Sequence, residues 1–181
     1  MRKLKQSILS VAIITVLMFF LSCSSSDDGG DGGDAPTGTL VAKVDGASYQ
    51  SMEISSSATI ANTPTGQSLL IVASNSDGNA FSFTIFGYDG VGTYDFDGSV
   101  VSAVNVGSYT ETAVNLSNPA NSTTEIWQAP YENSYVGSLS VSEETDTHLK
   151  GTFEFTCKNL NGDQSVKTIS DGEFNLGIQN N

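Results

Sequence analysis

Histidine is nearly missing from this sequence: His148 is the only one in 181 residues. That scarcity excludes a multi-histidine metal centre and leaves one possible base for any Ser-His-Asp arrangement. His148 stands beside Leu149 at the start of an alternating segment, where an ordinary strand-edge residue is expected. Cysteine is almost as rare, with Cys23 and Cys157 alone. Cys157 shares strand parity with Phe153 and Phe155, as a small buried hydrophobe would. The basic neighbourhood that activates a thiolate is not there, since the adjacent Lys158 falls on the opposite face. Positive charge is the third shortage. Lys and Arg number 7 against 20 Asp and Glu, for a net charge of −13. So acidic a chain repels phosphate backbones, which excludes nucleic acid as a partner. The sequence also lacks a Gly-x-Ser-x-Gly elbow, a His-Glu-x-x-His pair and a phosphate-binding glycine loop. The expectation is therefore no enzyme, no cofactor and no metal centre.

What is present begins with Met1-Arg2-Lys3-Leu4-Lys5, followed by the apolar run Ile8 to Leu21. A membrane-spanning helix needs ~20 apolar residues, and this run is shorter. Its length and basic flank are those of a secretory signal. Ser22 and Cys23 close it. This arrangement resembles the lipobox of bacterial lipoproteins, with Phe20 where that family usually carries Leu. The resemblance implies removal of residues 1–22 and diacylglyceryl and palmitate attachment at Cys23. The partner so implied is a membrane, held through the anchor, since two or more acyl chains anchor stably where one does not.

Residues 23–37 run through Ser24-Ser25-Ser26-Asp27-Asp28 and a Gly/Asp stretch that keeps a chain flexible and nucleates no core. They read as a tether. The acidic start of that run resembles the export signal of surface lipoproteins in Bacteroidota, which implies the outer membrane and exposure at the cell surface. A calcium site at Asp27, Asp28, Asp31 and Asp34 is the rival, but calcium loops set their ligands at fixed spacings. Loss of Arg2, Lys3 and Lys5 takes the charge from −13 to −16, and the four tether aspartates leave −12 on residues 38–181.

Those residues form one domain of ordinary size, and alternation dominates them. Phe153, Phe155 and Cys157 oppose Thr152, Glu154 and Thr156; Phe174, Leu176 and Ile178 oppose Glu173, Asn175 and Gly177. Phe81, Phe83 and Ile85 share a face, as do Leu139 with Val141 and Tyr94 with Phe96. Period two with one apolar face marks half-buried strands. Turn pairs such as Asp45-Gly46, Asp89-Gly90, Asp97-Gly98 and Asp171-Gly172 separate the runs. "SLLIVAS" (Ser68 to Ser74) is apolar on both parities, which predicts a central strand covered on both faces. The fold expected is all-β, a meander-like antiparallel sandwich or flattened barrel. A lipocalin-like closed barrel is the alternative.

"LVAKVDGASY", "GTYDFDG", "GTFEFTCKN" and "VKTISDGEFNL" together resemble a family of Bacteroidota lipoproteins known as a domain of unknown function. The resemblance spans most of Leu40 to Leu176. It implies the fold class and the cell envelope, and no activity.

Three local groups are candidate sites. Asp95 and Asp97 lie two apart on one strand, ~7 Å at β rise, a carboxylate pair that also suits solvated acids before a turn. Glu143, Glu144 and Asp146 form an acidic hairpin cluster expected to be solubilising. Trp127, Tyr131 and Tyr135 could form an aromatic platform for a glycan. The function these readings suggest is a surface-anchored, non-catalytic module binding a glycan or a protein. A structural or adhesive envelope component and a carrier of a small apolar ligand are the alternatives.

Overall fold

The computed structural model describes residues 34–64 and 66–179. The leader, Cys23 and the tether aspartates Asp27, Asp28 and Asp31 lie outside the described residues. Eleven strands follow one another: β1 (Thr39–Val44), β2 (Ala47–Gln50), β3 (Ser56–Thr63), β4 (Gly66–Ser74), β5 (Ala80–Tyr88), β6 (Gly92–Asp97), β7 (Val106–Ala113), β8 (Thr123–Ala129), β9 (Tyr135–Glu144), β10 (His148–Lys158) and β11 (Val166–Gln179). Two single-turn 3-10 segments, Glu53–Ser55 and Pro119–Asn121, are the helical elements among the described residues.

The strands make two layers. One runs β2-β1-β11-β10-β9-β6 and the other β3-β4-β5-β7-β8. The layers join where Ile178 and Gln179 of β11 pair with Ala58 and Thr59 of β3, and where Lys158 of β10 pairs with Gln128 of β8. This is a flattened barrel, all-β as the alternation predicts. Sequence neighbours mostly pair, with β6 leaving β5 to pair with β9 across the sandwich. The β3–β11 pairing is parallel, a departure from the expected antiparallel meander.

The core explains the closure. Phe81 and Phe83 of one layer meet Phe153 of the other with ring centroids 5.4 and 4.9 Å apart. Phe96 on the excursion strand β6 packs against Phe83 at 6.1 Å and Phe155 at 5.3 Å. These rings fill the interior against one another, so the barrel does not open as the lipocalin-like alternative requires. Burying such rings, at ~25 cal/mol per Å², is what can hold a chain whose only described cysteine is free.

Two local readings are corrected. Asp171-Gly172 is no turn, because β11 runs through it as a bulge opposite Phe153. Asp171 has φ 50°, and a Cβ on Gly172 would lie 2.4 Å from the Phe153 carbonyl oxygen. Turn residues and a bulge ask for the same backbone freedom, so the dipeptide misleads. Strand β4, expected to be covered on both faces, is covered on one: Leu70 and Val72 are 43% and 40% exposed. It sits between β3 and β5 in an outer layer, where one face meets the core and the other meets solvent.

Candidate functional site: two unlike outer faces

The aromatic candidates separate. Trp127 is 4% exposed, with its indole N–H donating to Ser165 Oγ at 2.9 Å. Lys167 Nζ lies 4.4 Å from its ring centroid and bonds Glu111 Oε1 at 2.9 Å. Tyr131 is half-buried and within 3.2 Å of Thr156 Oγ1, while Tyr135 is exposed. With Trp127 inside, the three residues do not form an exposed platform. Register decides this. Trp127 has the inward parity of β8, and Ile126 beside it faces solvent at 52%.

The acidic candidates have local duties. Asp97 Oδ1 accepts the Ser99 backbone N–H at 2.8 Å, and that bond holds its carboxyl below the usual range. The β6–β9 ladder slips between Asp95 and Asp97, so the simple two-apart spacing does not apply. Glu143 pairs with Lys150 at 3.7 Å, and Glu144 accepts the Tyr88 hydroxyl at 2.6 Å. Burial, then Glu144, pushes the Tyr88 phenol above its ordinary range. Glu144 and Asp146, with Ile60, Val91 and Ile178, border an open cleft of about 660 Å³. His148 is half-buried at the start of β10, paired with Gly177. Cys157 is fully buried, and burial pushes its thiol up to about 12, as suits an inert side chain. Among the described residues no three His, Cys, Asp or Glu side chains gather as metal ligands.

What the alternation did not disclose is the contrast between the two outer faces. On the β6-β9-β10-β11-β1 layer, a groove of about 270 Å³ is bordered by Ser138, Ser140, Thr152, Glu154, Asp171 and Glu173. Lys43 on the neighbouring strand β1 pairs with Asp171 at 2.9 Å. The opposite layer is different. Its outward positions run in rows across the strands, such as Ser57–Val72–Ser82–Ser108–Gln128 and Thr59–Leu70–Thr84–Val106. Further rows hold Ala61, Ser68 and Phe86, and Ser74, Ala80, Thr110 and Ile126. No ionisable residue stands at any of these positions. Phe86 is 44% exposed and joins Leu70, Val72 and Ile126 as large apolar groups in solvent. The signal was in the sequence as the double-parity apolar run of β4.

The chain's N-terminal side belongs to the charged layer. Ala35, read as tether, is 3% exposed, and its carbonyl oxygen accepts from Asn175 Nδ2 at 3.0 Å. Gly38 N donates to the Asn175 carbonyl at 2.7 Å. Asn175 shares outward parity with Glu173 and is buried because this segment crosses it.

Fold and faces together define an all-β sandwich with one charged and one uncharged outer surface. Residues 37–176 match the family described as Domain of unknown function (DUF6252), and the chain belongs to that family. No curated protein and no solved structure matches the chain.

Proposed function

We infer that this chain is a lipoprotein of the outer membrane, acylated at Cys23 and exposed at the cell surface, whose β domain is a non-catalytic interaction module. The observation that carries the module is the uncharged outer face of β3-β4-β5-β7-β8. A domain with −12 on residues 38–181 gains solubility from acids on every face, and leaving one face bare has no solubility rationale. Exposed apolar groups grouped on one face mark interaction surfaces. The packed phenylalanines favour this reading over a carrier, whose ligand would need their space. The buried Trp127 takes away the aromatic support for a glycan and favours a protein surface as the partner.

The resemblance of the leader, Ser22-Cys23 and the acidic run to surface lipoproteins supports the address. The position of Ala35 over Asn175 supports the orientation: residues 35–38 lie against the charged layer. The test is labelling in cells. Wild type should incorporate labelled palmitate and Cys23→Ser should not. Asp27→Ala with Asp28→Ala should stay labelled and become less accessible to external protease. Equal labelling of wild type and Cys23→Ser would refute the anchor.

A further inference from the structure

We propose that the partner of the uncharged face is a second copy of this chain, docked face to face; this rests on the reading of that face as the interaction surface. Two observations lead to a copy rather than to another protein, and a third sets the strength of the pairing. The first is electrostatic. Residues 38–181 carry four lysines and sixteen acids, so two copies repel from most directions. Approach through the other layer opposes two net-acidic surfaces, on which Lys43 and Lys150 offset only part of Asp95, Glu143, Glu154, Asp171 and Glu173. Across the uncharged face the opposed groups are neutral. Stacked sheets sit ~10 Å apart, and ionic screening at physiological salt has a range of ~8 Å, so the acids behind each face are weakly felt.

The second is self-complementarity. In an isologous pair each surface meets itself. A carboxylate or an ammonium cannot satisfy its own copy. A hydroxyl can, because it both donates and accepts, and an aliphatic group packs against its like. The central row is of this kind, with Val72, Ser82 and Ser108 in register.

The third is extent. Five strands at ~4.8 Å by ~20 Å of strand length give a planar face of roughly 480 Å², short of the ~800 Å² per partner in a standard interface. A pair of this size is weak in dilute solution. Co-anchoring in one membrane raises effective concentration without new contacts. A surface too small for a free dimer suits copies that are already held side by side.

The test uses the full chain in its own cells. Val72→Cys, Ser82→Cys and Ser108→Cys each place a thiol on the central row, and Glu154→Cys places one on the opposite layer. Wild type controls for Cys23 and the buried Cys157. After brief oxidation, at least one central variant should give a disulfide-linked species of twice the chain's mass, and Glu154→Cys and wild type should not. Adding Thr84→Glu, which sets a carboxylate in the face, should reduce that species at least tenfold while Trp127 emission stays native. For the purified chain in detergent, self-association should strengthen as NaCl rises from low to high, since charge repulsion is what opposes it. Equal cross-linking through Glu154→Cys, or none through all three central positions, would overturn the pairing. A cross-linked species of another mass would overturn it too, while leaving the interaction reading intact.

Discussion

Phe83 is the side chain on which the packing account can be tested most severely. It is fully buried and touches four other rings: Phe81 at 6.2 Å, Phe96 at 6.1 Å, Phe153 at 4.9 Å and Phe155 at 5.8 Å. Those partners come from both layers and from the excursion strand β6, so the ring is shared by every part of the sandwich. Phe83→Ala removes its transfer energy and leaves a void that three strands cannot close together, a cost of ~3–5 kcal/mol. Edge-to-face and stacked pairs add ~0.5–1.5 kcal/mol each in isolation, and shared partners make those terms overlap rather than add. Against a typical stability of ~5–15 kcal/mol, the variant should be largely unfolded or sharply destabilised. Thr84→Ala, one residue along and facing out, should stay within ~0.5 kcal/mol. Urea unfolding followed by Trp127 emission reports both, because that indole is buried against Lys167 at the end of the same core. Small and equal losses from the two variants would refute the reasoning. They would mean the phenylalanines border space instead of filling it.

Three further outcomes follow from particular contacts. Gly137 has φ 145°, and a Cβ there would lie 2.2 Å from the Glu154 carbonyl oxygen and 2.4 Å from Phe155 Cα; Gly137→Ala should cost ~3 kcal/mol or more from strain and overpacking together, read as a lowered urea midpoint. Lys167→Ala should cost ~1–2 kcal/mol and shift Trp127 emission, since it removes the cation over the indole. Burial raises Cys157 from 9.0 to about 12, and burial foremost also raises Tyr49, Tyr88, Tyr94 and Tyr109 above their ordinary 10.0. Above those ordinary values the unfolded chain has lost protons that the fold retains, so stability should be full below about pH 9 and fall as pH rises further. The slope is at most ~1.4 kcal/mol per pH unit for each group, and less for the half-buried Tyr94. A urea midpoint unchanged between pH 8 and pH 11 would contradict the burial of these groups.

Much of the fold was legible because a strand with one buried face writes its own alternation. Phe153, Phe155 and Cys157 read correctly, as did Phe81, Phe83 and Ile85, each buried with polar or exposed neighbours between. The errors share one cause. Pattern reports local preference, and the sites depend on what lies opposite. Asp171-Gly172 has turn chemistry and serves a bulge because Phe153 lies across from it. Leu70 and Val72 have core chemistry and face solvent because β4 belongs to a layer with none of the described residues packed outside it. Trp127 and Tyr135 are close in sequence, yet one is buried and the other exposed, because parity puts the indole inside. Of the uncharged face only the double-parity run of β4 was visible in the sequence, and the rest needed register, since its rows join β3, β4, β5, β7 and β8 from residues up to 71 positions apart, Ser57 to Gln128.

The central claim is that the domain works through the uncharged face, and side-chain oxidation tests it most directly. Hydroxyl-radical footprinting labels exposed aliphatic and aromatic groups in proportion to their access to water. Leu70, Val72, Phe86 and Ile126 report the face, while Val91, Val101 and Leu116, at 63%, 102% and 89% exposure, report the rest of the surface. On intact cells the four face residues should be protected relative to the dilute detergent-solubilised chain, and the three controls should label equally in both. Equal labelling of the face in both states, or protection centred on Val91 and Leu116, would contradict the account.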